Sequence, residues 1–456
     1  MAHYFTSAGR FSPRFFLMIL LAAAALPLFF AAPPAAHAGS RLAVTSAFDN
    51  GYVLAAEPGE RYLEVLVTAP ERAGLAGRPR LPLNIALVID SSGSMAHEAK
   101  MRHVKKAARA IVSRLRPDDR FALVTYANQA RVLLSSQPMA EPWRARDLIR
   151  AIRPGGGTNL HAGLMAGYEE LGHSCSSRYI NRLILLSDGL ANVGETSSHR
   201  LGQLALDQAR HGISLSTFGV GLDFNENLLA SLSEDGRGMY YFIDRAADID
   251  RLLAREFQAV EQLVASDIQV TVKFASGLTV TRVMANRFTR EGRRVVMSGG
   301  DLAAGQLRRF QIRLRPDEGR AGIHKVAKVQ VSYLPMGGKK RLSHRQRVSL
   351  SYSDDAAFVR GQRHGLISER AAVFEAHHAR SRAARAVDKG DMAQAGKILA
   401  RAQRRLDHRG QLNGRLRREK KAINDYAQAL KRPMDRRTRA RMQKKVKYKS
   451  YALEGC

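Results

Sequence analysis

The chain has 456 residues and a mass of 50.4 kDa, too long for one ordinary domain, and its 45% hydrophobic content excludes wholesale disorder. Lysine and arginine number 73 against 41 acidic residues, a formal charge of +32 that excludes a generic acidic cytosolic enzyme and points to a polyanionic surface or an acidic partner. With only Cys175 and Cys456, there is no cysteine-rich framework and no cysteine-based structural zinc site.

Residues 1–38 read as an export signal. Arg10 and Arg14 sit ahead of an apolar run over 15–32, no acidic residue occurs before Asp49, and Ala36-His37-Ala38 offers small residues for cleavage before Gly39. Pro27 interrupts the run and Pro33 and Pro34 follow it, so an uncleaved anchor is the alternative and a marginal span. The mature chain is therefore expected outside the cytoplasm, periplasmic, cell-surface associated or secreted. Export turns the positive charge away from nucleic acid and toward anionic membrane lipid, cell-wall polymer or an acidic exported protein. It also permits a disulfide between Cys175 and Cys456, with a free or intermolecular thiol at Cys456 as the competing state.

Within 39–80, short strands are predicted at 52–54 and 62–67, separated by the turn Glu57-Pro58-Gly59-Glu60. They are too little sheet to fold alone. Residues 81–260 alternate strand and helix patterns. The run 83–89 is nearly continuously apolar, as a central strand covered on both faces requires. Further strands are predicted at 121–126, 131–134, 183–186, 213–220 and 240–243, with helices at 97–115, 145–152, 160–171, 201–210, 228–232 and 249–258. Repeated βα units of this size indicate a doubly wound, Rossmann-like α/β domain.

Residues 261–354 change period. Segments 267–274, 309–315, 326–333 and 345–352 alternate apolar and polar residues, the mark of strands with one wet face. They predict an antiparallel β-sandwich of four to six strands, completed by the leading strands of 39–80, with the α/β domain inserted between. Residues 355–456 form a basic helical tail: from Gly361 to Cys456 there are 26 lysines and arginines against 9 acids. Segments 371–387 and 392–406, joined by Lys389-Gly390-Asp391, predict a helical hairpin. The hairpin resembles one unit of a tetratricopeptide-type repeat, but no second copy follows, so it is read as a packing appendage. The basic run 432–449, with Asp435 its one acid, is read as a solvated tail.

The sharpest signal is Asp90-Ser91-Ser92-Gly93-Ser94-Met95, which follows the buried strand and precedes a helix, where open α/β sheets place ligands. Asp90 supplies a carboxylate, and the hydroxyls of Ser92 and Ser94 can face one point. Hard oxygen donors at a helix entrance suit Mg²⁺. Two further elements match: the glycine-rich loop Pro154-Gly155-Gly156-Gly157-Thr158-Asn159 presents a hydroxyl, and Ser187-Asp188-Gly189 ends another apolar strand with a carboxylate.

These three elements resemble the von Willebrand factor type A family with an intact metal-ion-dependent adhesion site, over roughly 81–260. The Asp-x-Ser-x-Ser motif falls on Asp90, Ser92 and Ser94, the loop threonine on Thr158 and the second aspartate on Asp188. The flanking β-region resembles, more loosely, bacterial secreted relatives of calcium-activated chloride channel regulators and inter-alpha-trypsin inhibitor heavy chains. The resemblance implies a shell for Mg²⁺, with Mn²⁺ or Ca²⁺ as alternatives. Ser92, Ser94 and either Thr158 or a water complete it, and Asp90 and Asp188 act directly or through water. A partner carboxylate takes the remaining position, because few protein charges leave the ion underneutralised.

Other candidates carry less. His97 and His103 lack companions at ligand spacing, no Gly-x-Gly-x-x-Gly follows the strand before Gly221, and residues 155–158 lack the Gly-Lys-Ser/Thr of a phosphate loop. Ser92 and Ser94 lack the elbow and the His-Asp pair of a hydrolase. Trp143, beside Pro142, is read as pinning a loop. The expectation is therefore a non-enzymatic interaction protein that binds an acidic partner through Mg²⁺ and contacts an anionic membrane or cell-wall surface with its basic helices. A scaffold whose metal site only stabilises the fold, and a subunit of a metal-dependent enzyme assembly, are the alternatives.

Overall fold

The computed structural model describes residues 41–456 except 72–79, 189, 190, 223, 286, 363, 364, 409–412, 433, 434, 455 and 456. The expected export signal, Gly189 and Cys456 lie outside the described residues. Strands β1 (Ala43–Phe48), β2 (Tyr52–Leu54) and β3 (Arg61–Thr68) come first.

An α/β unit follows: β4 (Leu83–Asp90), α1 (Lys100–Val112), β5 (Arg120–Tyr126), β6 (Ala130–Pro138), α2 (Pro142–Ala151), α3 (Leu160–Gly172), β7 (Ile180–Ser187), α4 (Ser198–Arg210), β8 (Ile213–Val220), α5 (Glu226–Asp235), β9 (Arg237–Ile243) and α6 (Ile249–Glu261). Its sheet has the order β6-β5-β4-β7-β8-β9 and is parallel except for β6, which folds back on β5. All eight residues of β4 are buried. Leu83, Ile85, Leu87 and Ile89 join the core beneath α1, α2 and α6, while Ala86 and Val88 join the core beneath α3, α4 and α5. Alternate residues thus serve opposite helix layers, which is why this strand reads as one apolar run. Asn159, Ser197 and Asn225 accept the first free N–H groups of α3, α4 and α5 and fix where those helices begin. Trp143 is 59% exposed on the first turn of α2 and pins no loop.

The chain then forms β10 (Leu263–Phe274), β11 (Leu278–Met284), β12 (Phe288–Glu291), β13 (Arg294–Ala303), β14 (Leu307–Pro316), β15 (Gly322–Pro335) and β16 (Leu342–Ser353). These strands and the first three make two sheets, ordered β1-β3-β14-β11 and β12-β13-β10-β15-β16-β2. Strand β3 pairs with β14 from Arg61↔Leu314 to Thr68↔Leu307, so segments on either side of the α/β unit close one sheet. Both sheets contribute to one core that includes Leu63, Val65, Phe310, Val270, Val329 and Leu350. The strands exceed the four to six expected, and one pair, β2 with β16, is parallel rather than antiparallel.

The helical region comprises α7 (Ala356–Gly361), α8 (Gly365–Asp388), α9 (Met392–Asp407), α10 (Gly414–Lys431) and α11 (Arg436–Glu454). The last four share a core around Ala383, Leu399, Leu416 and Ile423. Arg370 of α8 reaches Glu64 of β3 at 2.7 Å, which fastens the helices to the sheets. Helix α11 departs from the solvated tail expected of its composition. Lys444 donates to Phe224 O at 2.7 Å and pairs with Glu226 at 2.6 Å, and Lys447 pairs with Glu226 and Asp388. Tyr448 packs edge-on against Tyr240, and Arg441 and Lys445 pair with Asp244. Acidic groups at the start of α5, after β9 and at the end of α8 thus seat the basic run. Cys175 is a free thiol beside His211 O. Among the described residues no helix is long and apolar enough to cross a membrane.

Candidate functional site

Three loops meet at the carboxyl end of the parallel sheet, the side where such sheets place ligands. Backbone bonds tie them. Gly155 N–H donates to Ser91 O at 2.8 Å and Gly93 N–H to Gly156 O at 2.9 Å, clamping the glycine-rich loop onto the turn after β4. Thr158 N–H donates to Asn192 Oδ1 at 2.8 Å, and Thr158 O accepts from Asn192 N–H at 3.1 Å, which joins the same loop to the segment after β7. Gly157 belongs at this crossing because a Cβ there would stand 2.6 Å from Val193 Cγ2 and 2.8 Å from Asn128 Oδ1.

Asp90 ends β4 and is fully buried. Its Oδ1 accepts from Ser92 N–H at 2.9 Å, and its Oδ2 accepts from Tyr126 Oη at 3.1 Å and Ser187 Oγ at 2.8 Å. Ser92 and Ser94 place their Oγ atoms 3.0 Å apart. Burial pushes the Asp90 carboxyl above its ordinary range, and the negative charge of Asp188 adds to this against the bond from Ser92. Asp188 is also fully buried; its Oδ2 pairs with Lys100 Nζ at 3.1 Å, while its Oδ1 has no hydrogen-bond partner among the described residues. All five expected residues therefore lie on the joined loops. Asp90, Ser92, Ser94 and Asp188 interact directly or electrostatically, and Thr158 is held through its backbone.

The sequence reading gave no role to four residues that hold this arrangement. Tyr126 lies opposite Asp90 in the β4–β5 register, Ser187 precedes Asp188, and Asn192 bridges two loops. The fourth, Lys100, is 3% exposed. Its signal was visible: Lys100, Val104, Ala107 and Ile111 form one helical stripe, all buried, in which a lysine is out of place. Ala99 before it adopts a left-handed φ of 61°, and Gly221, at φ 83°, leaves room for the lysine stem, since a Cβ there would lie 2.8 Å from Lys100 Cε.

Oxygen chemistry decides what this site can hold. Among the described residues no group of three or more His, Cys, Asp or Glu side chains could hold a metal ion. The donors here are instead two carboxylates and hydroxyls, the set that suits a hard divalent cation and not zinc. Asp188 Oδ1, without a hydrogen-bond partner among the described residues, is the oxygen that would meet such an ion, because an orphaned buried acceptor is costly.

Residues 84–255 match the family described as von Willebrand factor type A domain. The chain is 30% identical over 192 residues to the Escherichia coli protein YfbK, covering 42% of this chain and 33% of that protein. It is also 30% identical over 229 residues to pig (Sus scrofa) inter-alpha-trypsin inhibitor heavy chain H2, covering 48% of this chain and 24% of that one. The chain thus spans about a third or less of these relatives. Among solved structures, a von Willebrand factor type A protein from Catenulispora acidiphila superposes with a TM-score of 0.68 at 17% identity, covering 89% of this chain and 96% of that one. The ArnB paralog VWA2 from Sulfolobus acidocaldarius gives 0.55 at 18% identity, with 89% and 99% covered. At these identities the likeness concerns fold alone. Sheet order, joined loops and the sequence match together identify residues 84–255 as a von Willebrand factor type A domain.

Proposed function

We propose that the chain is an exported, non-enzymatic interaction protein that binds an acidic protein partner through Mg²⁺, or Mn²⁺ or Ca²⁺, held by Asp90, Ser92, Ser94, Thr158 and Asp188. The observation that carries this reading is the buried Asp188 Oδ1, without a hydrogen-bond partner among the described residues, beside a second buried carboxylate and paired hydroxyls. Charge arithmetic supports the choice of partner. With both carboxylates ionised and Lys100 protonated, the site carries one net negative charge. A divalent cation reverses this to one positive charge, which one partner carboxylate neutralises. When bound, the cation supplies an open coordination position. The protein's own contribution is orientation: Tyr126 and Ser187 fix one oxygen of Asp90, and Asn192 fixes the Thr158 loop.

In this reading the two flanking sheets form a β-sandwich into which the α/β domain is inserted, and the basic helices contact an anionic membrane or cell-wall surface. Capture of an acidic partner in Mg²⁺ against EDTA tests the reading. Asp188→Ala should abolish Mg²⁺-dependent capture while leaving circular dichroism unchanged, and capture that persists in EDTA refutes it. A second reading, a scaffold whose site only stabilises the fold, is favoured by one contact: Lys100 already offsets part of the buried charge. There, EDTA would lower Tm without a partner's binding depending on metal.

A further inference from the structure

Helices α8 and α9 and the edge strand β11 enclose a cleft of about 180 Å³. Ala372, Ala376 and Ala379 of α8 line it and leave space that longer side chains would fill. Its charged lining is one-sided. Arg282 enters from β11, Arg382 from α8, and Lys397, Arg401 and Arg405 from α9 at successive four-residue spacings, with Glu375 the one carboxylate in the lining. Glu375 is already shared between Arg313 and Arg405, each at 3.6 Å. Arg282, half-buried, donates to His378 Nδ1 at 2.9 Å rather than to a carboxylate. Among the described residues Arg382, Lys397 and Arg401 make no ion pair.

Two buried arginines elsewhere lie on carboxylates, Arg80 on Asp119 at 2.7 Å and Arg380 on Glu419 at 2.6 Å, whereas the half-buried Arg282 lies on an imidazole. Like charges four residues apart on a helix oppose each other, so the α9 row costs stability unless an anion offsets it. Burial first, then the charges of Arg282, Arg385 and Arg382, push His378 down to about 4. Its ring is neutral at physiological pH and adds no repulsion of its own.

We propose that this cleft binds a phosphate group, reached by the half-buried Arg282 from within and by the exposed Arg382 and Arg401 at its mouth. Guanidinium forks match tetrahedral oxyanions bidentately. The volume is below the roughly 300–1,000 Å³ of sites that enclose a drug-sized ligand, which suits a compact anion. The cleft shares no residue with the Asp90 site, and it narrows the anionic contact proposed above for the helical region to one place.

Calorimetry with sodium pyrophosphate at low salt, on the full chain, is the test. Wild type should bind with one-site stoichiometry, and Arg382→Gln/Arg401→Gln should bind at least tenfold more weakly. A control pair on α11, Arg436→Gln/Arg439→Gln, should bind like wild type. All four positions are exposed, so circular dichroism should be unchanged. No binding by wild type, or equal weakening by the control pair, overturns the cleft. Co-sedimentation with phosphatidylcholine vesicles containing phosphatidylglycerol distinguishes the source of the phosphate. Pelleting lost in Arg382→Gln/Arg401→Gln assigns it to a lipid headgroup. Unchanged pelleting with pyrophosphate binding lost assigns it to a soluble phosphate and moves any surface contact to other residues.

Discussion

Replacing Lys100 by Met separates the roles of the protein's own cation and of an added one. Methionine keeps the length and packing of the lysine stem against Gly221 but removes the ammonium 3.1 Å from Asp188 Oδ2. Both partners are almost wholly buried, so the variant leaves Asp188 uncompensated close to Asp90. Breaking a buried pair from one side costs about 3–5 kcal/mol. For a domain of this size that lowers Tm by roughly 10 °C in EDTA. Mg²⁺ should restore much of the loss, because a divalent ion then meets two carboxylates with no ammonium opposing it. Calorimetric affinity for Mg²⁺ should rise at least tenfold over wild type, and the Tm gain on adding Mg²⁺ should be larger in the variant. Scanning calorimetry with EDTA and with millimolar Mg²⁺, on both proteins, reads all of this. An equal Tm loss in both conditions, with Mg²⁺ affinity unchanged or reduced, would refute both the charge balance and the placement of a cation at Asp188.

Gly157→Ala should weaken Mg²⁺ binding with little change in the sheet, because its Cβ would push on Val193 and Asn128 and part the loops; overpacking of this kind costs about 1–3 kcal/mol, and unaltered Mg²⁺ calorimetry would count against the loop assembly. Glu226→Gln should release α11, since Lys444 and Lys447, 5% and 7% exposed, would lose their shared carboxylate; faster proteolysis near the C terminus is the readout. Burial would raise the Glu226 carboxyl, but the ammoniums of Lys444 and Lys447 outweigh it and hold the group below its ordinary 4.5. Its contribution is therefore complete above about pH 4.5 and is lost as pH falls through the lowered value, so α11 should exchange amide protons faster in mild acid in wild type but not in Glu226→Gln. N-terminal sequencing of the mature protein should begin at Gly39, and a chain still starting at Met1 in the cytoplasmic fraction would contradict export.

Much of the α/β domain was legible along the chain because its units are local. A strand buried on both faces must be apolar throughout, so 83–89 could be recognised without knowing its neighbours, and Asp90 could be placed at its end. Asp188 followed in the same way at the end of a second apolar run, whereas Thr158 was placed by a glycine-rich loop and by the resemblance to the von Willebrand factor type A family. Tertiary structure decided what depends on contacts distant in sequence. Alternation marks a strand but names no partner, so the β3–β14 pairing and the parallel β2–β16 pair could not be read in advance. A basic run looks the same whether solvated or paired. Only the fold brings Glu226, Asp244 and Asp388 to the lysines and Arg441 of α11. Lys100 shows the boundary most clearly. Its place on an apolar stripe is written in the sequence. Its partner, Asp188, is not, because a charge buried at that position is tolerated only beside an opposite charge that folding delivers from the end of β7.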